Sequence, residues 1–239
     1  DTTESRAGDL FGSSVAFDQN MFVIGAPRDD HSGKTDAGSV YVISTDSTWS
    51  TTTGQIAKLK KAATAVGNYD YFGTSVDVDV FGGTGRDSVG IVVGTPKDDV
   101  AGADAGAVYV FYSGTLATDN SNGGGLTSIT QLGTAVKAYD AVDLQEFGSS
   151  VAIDVNELNG EIRMAVGSSV NAASTGAVYA YRYWGASGWL GQRYIPAAGA
   201  VKFGYAVDVA ASIFIVGAPD TNRTGGTAST DLGTLQPES

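Results

Sequence analysis

A short phrase, Phe-Gly, recurs four times in this chain of 239 residues, and each copy opens a similar unit. Small residues with alternating apolar positions follow each copy, and then an apolar run ends in Gly-Ala-Pro or a variant of it. Such a repeat indicates copies of one supersecondary unit, each of which needs neighbours to bury its faces. The phrases are Phe11-Gly12, Phe72-Gly73, Phe147-Gly148 and Phe203-Gly204, and the endings are Gly25-Ala26-Pro27, Gly94-Thr95-Pro96, Gly167-Ser168-Ser169 and Gly217-Ala218-Pro219.

The first unit has the pattern of four short strands. Residues 13–17 are mostly small, residues 21–24 are continuously apolar, residues 37–43 carry β-branched and aromatic side chains, and residues 55–60 alternate. Continuous apolar runs are typical of strands covered on both faces, whereas alternation indicates one face in water. This gradient predicts a β-propeller blade, in which the innermost strand is crowded and the outermost one meets solvent.

The same reading divides the whole chain, residues 1–239, into four repeats of one partial propeller. Their approximate limits are 9–70, 71–145, 146–201 and 202–239. The last repeat is predicted to be incomplete, because the polar tail 221–239 has no Val-Tyr-Val-type strand. Residues 57–65 are rich in Ala and Lys and compete as a helix, but their place in the repeat favours a strand. The predicted fold class is therefore all-β, with four-stranded antiparallel blades.

Composition excludes several classes of function. The formal net charge is −12, which argues against binding to nucleic acid or to anionic membranes, because phosphate binding needs clustered cations. With no cysteine, the chain has no disulfides, zinc–thiolate sites or thiol nucleophiles. No run of apolar residues is long enough for a membrane-spanning helix. The polar start of the chain is compatible with a processed N-terminus.

The Phe-Gly and Gly-Ala-Pro phrases, with the strand pattern around them, resemble the FG-GAP repeat. This repeat is known from the β-propeller of integrin α subunits and from bacterial and eukaryotic surface proteins. The resemblance is closest over residues 11–42, good over 72–111, and partial over 147–181 and 203–219. It implies an extracellular or cell-surface β-propeller. Propellers of this family commonly have seven blades, so the favoured interpretation is a segment of a larger propeller. The alternative is a closed four-bladed ring in which residues 1–8 complete the last blade.

The resemblance also implies calcium, because family members often carry a loop D-x-[DN]-x-D-G-x-x-D between the first and second strands. The second repeat matches the opening acids of that loop, and the third repeat matches it in part. The alternative is that these side chains shape turns through hydrogen bonds to the backbone. The candidate Ca²⁺ ligands are Asp77, Asp79 and Asp87 in the second repeat, and Asp154, Asn156 and Asn159 in the third.

Other polar groups have weaker signals. Paired acids recur in the loop after the second strand, and their repetition favours turn capping over metal binding; they are Asp29, Asp30 and Asp36, echoed by Asp98, Asp99 and Asp104. The single histidine, His31, is predicted to be an exposed loop residue. Trp49, Trp184 and Trp189 are expected to pack between blades, with stacking on sugars as the alternative. Asn222 begins an N-glycosylation sequon, Asn-Arg-Thr.

The predicted function is therefore non-catalytic. Neither a nucleophile elbow nor a phosphate-binding loop occurs in the sequence, and one histidine gives little basis for acid–base chemistry. The resemblance implies an extracellular binding or adhesion module that recognises protein or glycan through propeller loops, with Ca²⁺ as the stabilising ion. A structural subunit of an extracellular filament, coat or matrix is the alternative, with self-assembly or further blades as partners. An accessory domain of a secreted enzyme is the second alternative.

Overall fold

The structure is a computed structural model, and the chain is all-β. It describes residues 6–19, 21–45, 52–62, 65–82, 88–113, 129–169, 175–183, 185, 188–195, 202–211, 213–219 and 228–231. Over these residues, strands form four antiparallel sheets in chain order, each here called a blade. No helix within the described ranges is long and apolar enough to cross a bilayer.

Blades 1 to 3 have four strands each, in simple sequential order. Blade 1 contains β1 (Ser14–Asp18), β2 (Met21–Ala26), β3 (Ser39–Thr45) and β4 (Thr52–Leu59). Blade 2 contains β5 (Ser75–Phe81), β6 (Ser88–Thr95), β7 (Ala107–Ser113) and β8 (Thr130–Gln131). Blade 3 contains β9 (Ser150–Val155), β10 (Ile162–Ser168), β11 (Ala177–Tyr183) and β12 (Trp189–Tyr194). The predicted four-stranded, propeller-like blades are confirmed, and the stretch from Ala57 to Leu59 is strand rather than helix.

Blade 4 has three described strands, one fewer than each of the other blades. It contains β13 (Ala206–Ala210), β14 (Ile213–Gly217) and β15 (Ala228–Asp231), so a third strand does form within the polar tail. β15 pairs antiparallel with β14, from Ile213 opposite Asp231 to Val216 opposite Ala228. The sequence Ala-Ser-Thr-Asp has no aromatic or apolar alternation, so the backbone ladder of β14 decides this strand rather than a local pattern.

The blades follow one another around their innermost strands. β1 contacts β5, β5 contacts β9, and β9 contacts β13. Three apolar cores lie between successive blades: one between blades 1 and 2, one between blades 2 and 3, and one between blades 3 and 4. Each core combines the two faces of neighbouring sheets, and for this reason β7 is buried along its whole length.

The repeated Phe-Gly and Gly-Ala-Pro phrases meet between blades. A Cβ built on Gly25 would lie 2.1 Å from the carbonyl oxygen of Gly73, and one on Gly94 would lie 2.1 Å from that of Gly148. The same approach at Gly167 is 2.0 Å from the carbonyl of Gly204. We call each such contact a joint. A side chain at Gly25, Gly94 or Gly167 would therefore collide with the Phe-Gly peptide of the next blade.

A serine at the start of β1, β5 and β9 completes the three joints. The hydroxyl of Ser14 donates to the carbonyl of Gly73 at 2.8 Å, and Ser75 and Ser150 repeat this bond at 2.8 Å to Gly148 and Gly204. The carbonyl of each Phe-Gly glycine therefore leaves no room for a Cβ on the preceding blade and also accepts a hydrogen bond from that blade. The recurring sequence is explained by this contact between neighbours, in addition to the strands within each unit.

Candidate functional site

Two of the predicted calcium ligands lie on a strand and face the next blade. The carboxylate of Asp77 on β5 accepts a hydrogen bond from the backbone N–H of Ile153 at 2.8 Å, and Asp79 accepts one from Val155 at 2.5 Å. Asp18 of blade 1 makes the matching contact with the N–H of Val80 at 2.7 Å. These acids therefore join inner strands that have no backbone ladder between them.

Their environment raises the pKa of both carboxyl groups. Burial raises the pKa of Asp77 to about 6, against the lowering effect of its backbone hydrogen bonds, and the nearby charges of Asp208 and Asp79 raise it further. Burial also raises the pKa of Asp79, although the hydrogen bond from Val155 opposes it. A buried carboxylate has lost part of its hydration. A cation that binds there must compensate for that loss.

The predicted ligands of the third repeat lie around the turn between β9 and β10. The side-chain oxygen of Asn156 accepts from the N–H of Leu158 at 2.9 Å, and that of Asn159 accepts from Glu161 at 3.0 Å. Asp154 lies 3.7 Å from the guanidinium of Arg163. The asparagine oxygens therefore shape the turn, which is the alternative that the sequence left open.

The remaining predicted sites fall outside the described residues. Asp87, the third proposed ligand of the second repeat, and Asn222, the proposed glycosylation site, both lie there, as do Trp49 and Trp184. Within the described part of the chain, no group of three or more Asp, Glu or His side chains is arranged to hold a metal ion. Calcium binding stays a prediction.

Four members of the second acidic set form turns, whereas Asp29 and Asp98 are buried and pair with Lys58 and Lys61. The carboxylate of Asp30 accepts from the N–H of Asp36 at 2.9 Å, and Asp99 accepts from Asp104 at 2.8 Å. Asp36 and Asp104 both have positive φ, at 49° and 51°. In blades 1 and 2, an acid at the start of the loop thus accepts a hydrogen bond from the residue with positive φ at its end. This bond stabilises the strained backbone there.

A buried charged cluster was not predicted from the sequence. The ammonium of Lys61 lies 2.7 Å from Asp70 and 2.6 Å from Asp98, and the hydroxyl of Tyr109 donates to Asp98 at 2.7 Å. Burial, followed by the charge of Asp98, raises the pKa of Tyr109. The cluster fixes the connection after β4 against blade 2. Lys61 follows Lys60 in a polar stretch, so no local pattern marks it as buried.

Blade 3 has a related cluster around the equivalent tyrosine. Tyr179 donates to Asp140 at 2.8 Å, and the guanidinium of Arg193 lies 2.7 Å from the same carboxylate. Burial, and then the hydrogen bond to Asp140, raises the pKa of Tyr179. In blades 2 and 3, the third-strand tyrosine therefore anchors an acid from a connecting segment.

The prediction for His31 is wrong. His31 is buried, and its Nε2 lies 2.9 Å from the carbonyl oxygen of Gly38. Burial lowers the pKa of the imidazole despite that hydrogen bond. His31 pairs with Lys34 in a short bridge, which turns the ring back under the loop. It is a structural residue of the loop between β2 and β3.

An aromatic cleft of about 680 Å³ opens between blades 2 and 3. Residues 133–139 of blade 2 form one wall, and Tyr181, Tyr183 and Trp189 of blade 3 form the other. The rings of Tyr183 and Trp189 are 5.2 Å apart and tilted by 55°. Trp189 lies at the start of β12 rather than in a loop, and it packs partly against the core between these blades.

The cleft is held rigidly. The hydroxyl of Tyr181 donates to the backbone carbonyl of Lys137 at 3.0 Å, which fixes the two walls relative to each other. A Cβ on Gly191 would lie 2.4 Å from the Tyr181 ring, so that ring lies directly on bare backbone. Tyr139 is largely exposed at the rim and meets Tyr179 edge-on at 6.0 Å. The volume is in the range of small-ligand sites.

The four propeller-like blades and their joints define a tandem-repeat protein. Residues 3–43, which include β1, β2 and most of β3, match the FG-GAP repeat family. A search of curated proteins found no match.

Proposed function

We propose that the chain is a non-catalytic extracellular binding module that recognises glycans at the aromatic cleft between blades 2 and 3. The FG-GAP match supports an extracellular location, since such repeats typically occur in extracellular proteins. The buried ionisable groups described above hold blades and turns together, which supports a role in binding rather than catalysis. Any Ca²⁺ at Asp77, Asp79 or Asp154 would stiffen the blades rather than take part in chemistry.

The single observation that carries the glycan assignment is the exposed ring of Tyr139 in a cleft that Tyr183 and Trp189 also line. A sugar ring has a flat C–H face that packs on aromatic rings and hydroxyl groups that bond to backbone polar groups. Aromatic side chains supply rigid contact area at low conformational cost. Gly133 in the lining has no described atom within 4 Å of its Cβ position, which leaves its backbone groups open to a ligand.

This proposal is tested by screening the chain against an array of immobilised oligosaccharides. Calorimetry then measures the affinity of the chain for the sugars that bind. Replacement of Tyr139 by alanine should weaken binding about tenfold, which corresponds to about 1.4 kcal/mol. Tyr69→Ala is the matched control, because Tyr69 is also exposed but lies in the loop before β5. Absence of sugar binding, or equal affinities for the two variants, would contradict the proposal.

The structural-subunit alternative has its own observation in favour. Apolar side chains are exposed on both the first and the last blade, among them Val15 and Ile215. Exposed apolar faces of this kind mark protein–protein contact sites.

A further inference from the structure

Blade 1 and blade 4 each carry one side of a joint whose other side is absent among the described residues next to it. At Gly217, the blade 4 counterpart of Gly25, Gly94 and Gly167, a Cβ would meet no described atom nearer than 3.5 Å. The three counterparts leave only 2.0 to 2.1 Å to the carbonyl of the next Phe-Gly. Nothing among the described residues of this chain requires glycine at position 217.

Blade 1 has the other half. Gly12 has a φ of 89°, like the later Phe-Gly glycines, yet a Cβ there would meet no described atom within 4 Å. Its counterparts Gly73, Gly148 and Gly204 face backbone carbonyls of the preceding blade at 2.9, 2.8 and 2.4 Å. The Phe11-Gly12 peptide therefore has the conformation of a joint with no preceding blade beneath it.

Side-chain exposure shows the same asymmetry on the face of blade 1 that would pack on a preceding blade. Phe11 is 55% exposed, whereas its counterparts Phe72, Phe147 and Phe203 are 0%, 0% and 7% exposed. Val15 is 67% exposed, against 9% and 8% for Val76 and Val151. We call this surface, formed by Phe11, Val15 and Phe17, the leading face.

The opposite face of blade 4 is also uncovered. Ile215 is 50% exposed, whereas its counterparts Val23, Val92 and Ala165 are fully buried beneath the following blade. Ile213 is exposed beside it. We call this surface, formed by Ile213, Ile215 and Gly217, the trailing face. Within the chain, each formed joint pairs a trailing face with the leading face of the next blade.

We propose that the trailing face of one copy binds the leading face of a second copy and forms a fourth kind of joint, between blade 4 and blade 1. A second copy fits the uncovered faces because one chain carries both complementary faces. Three interfaces of the same geometry already form between its successive blades. Asp208 occupies the strand position of Asp77, so its carboxylate would lie against β1 of the second copy, as Asp77 lies against β9. Such a head-to-tail contact is heterologous, and it closes into a ring if the rotation permits.

Light scattering and sedimentation over a concentration series measure the mass of the assembly against the 24.4 kDa chain. A second copy in a closed ring gives twice that mass. Replacement of Gly217 by alanine adds a methyl group that the isolated blade accommodates, yet it would collide with the arriving Phe-Gly carbonyl. We expect this variant to weaken association at least tenfold without loss of folded structure. Leu158→Lys, on a fully exposed loop of blade 3, should leave association unchanged.

Mixing two blocked variants tests the head-to-tail geometry itself. Val15→Lys disables the leading face and Ile215→Lys the trailing face, so each variant alone should be monomeric. A mixture retains one intact leading face and one intact trailing face, and it should form a one-to-one dimer. Association of either variant by itself would overturn the head-to-tail joint. A wild-type chain that is monomeric at every concentration would overturn the second copy as occupant.

Discussion

Blades 2 and 3 differ from blades 1 and 4 in the number of faces that a neighbour covers. The inner pair has a blade on either side, and its middle strands, such as β7 and β10, are buried on both faces. The end pair repeats the same sequence pattern, but Val15 and Phe17 in blade 1 and Ile213 and Ile215 in blade 4 are exposed. One pattern thus gives two environments, because burial in a repeat protein depends on the neighbour as well as on the unit.

The largest expected difference concerns the glycines of the joint. Gly94→Ala would place a methyl carbon 2.1 Å from the carbonyl oxygen of Gly148, so blades 2 and 3 would have to separate. We expect a loss of more than about 4 kcal/mol in the free energy of unfolding, or no folding. Gly217→Ala should change stability by only about 0.5 kcal/mol. Urea unfolding followed by tryptophan fluorescence measures both, and similar losses would refute the distinction between inner and end blades.

The phenylalanines of the repeat give the next largest contrast. Phe147→Ala should cost about 3 to 5 kcal/mol, because the ring is fully buried between blades. In the monomeric chain, at concentrations too low for two copies to associate, Phe11→Ala should cost about 1 kcal/mol, since much of its ring is exposed. Both rings meet their own blade's tyrosine edge-on at 5.2 Å, so this contact cancels in the comparison. Equal losses in thermal unfolding would mean that a partner covers Phe11 in solution.

Asp77 gives a pH-dependent contrast. Its pKa of about 6 lies above the usual 3.8, so the folded chain binds the proton more tightly, and stability falls as the pH rises through this window. Asp77→Asn keeps an acceptor for Ile153 but cannot ionise. We expect it to raise stability by about 2 to 3 kcal/mol at pH 8 and to change it little at pH 4.

Asp99→Asn is the control for that experiment, because Asp99 also accepts one backbone hydrogen bond, from Asp104, but lies on an exposed loop. Thermal melting at both pH values should show a smaller gain for this variant than for Asp77→Asn. A loss of stability in Asp77→Asn at pH 8 would contradict the pKa argument and would favour a bound cation at Asp77.

The smallest expected effect should be equal in the two kinds of blade. Asp99→Ala in blade 2 and Asp30→Ala in blade 1 each remove one hydrogen bond that closes an exposed loop. Both should cost about 1 kcal/mol, because the bond is local and no neighbouring blade takes part. Chemical unfolding of the two variants side by side measures this. A much larger loss in blade 2 would show that the loop depends on blade 3.

Several site residues could not be placed from the sequence. Asp77 and Asp79 look like the start of a metal-binding loop, but they lie on β5 and bond to β9, which is more than 70 residues further along the chain. The buried Lys61 and His31 both occur in polar stretches, where no periodicity distinguishes a buried side chain from an exposed one. The turn-capping role of Asp30 and Asp99 was readable, because it depends on residues five or six positions away.

The amino-acid sequence by itself determined the repeat, the all-β class and most strand positions. These features depend on apolar and glycine patterns within a few residues, and such local patterns fix strands and turns. Only the tertiary structure decided why glycine recurs at Gly25, Gly94 and Gly167, which acids face a neighbouring blade, and which faces stay uncovered. The physical reason is that each depends on a carbonyl, an N–H group or an apolar face from a different blade, whose position no local pattern records.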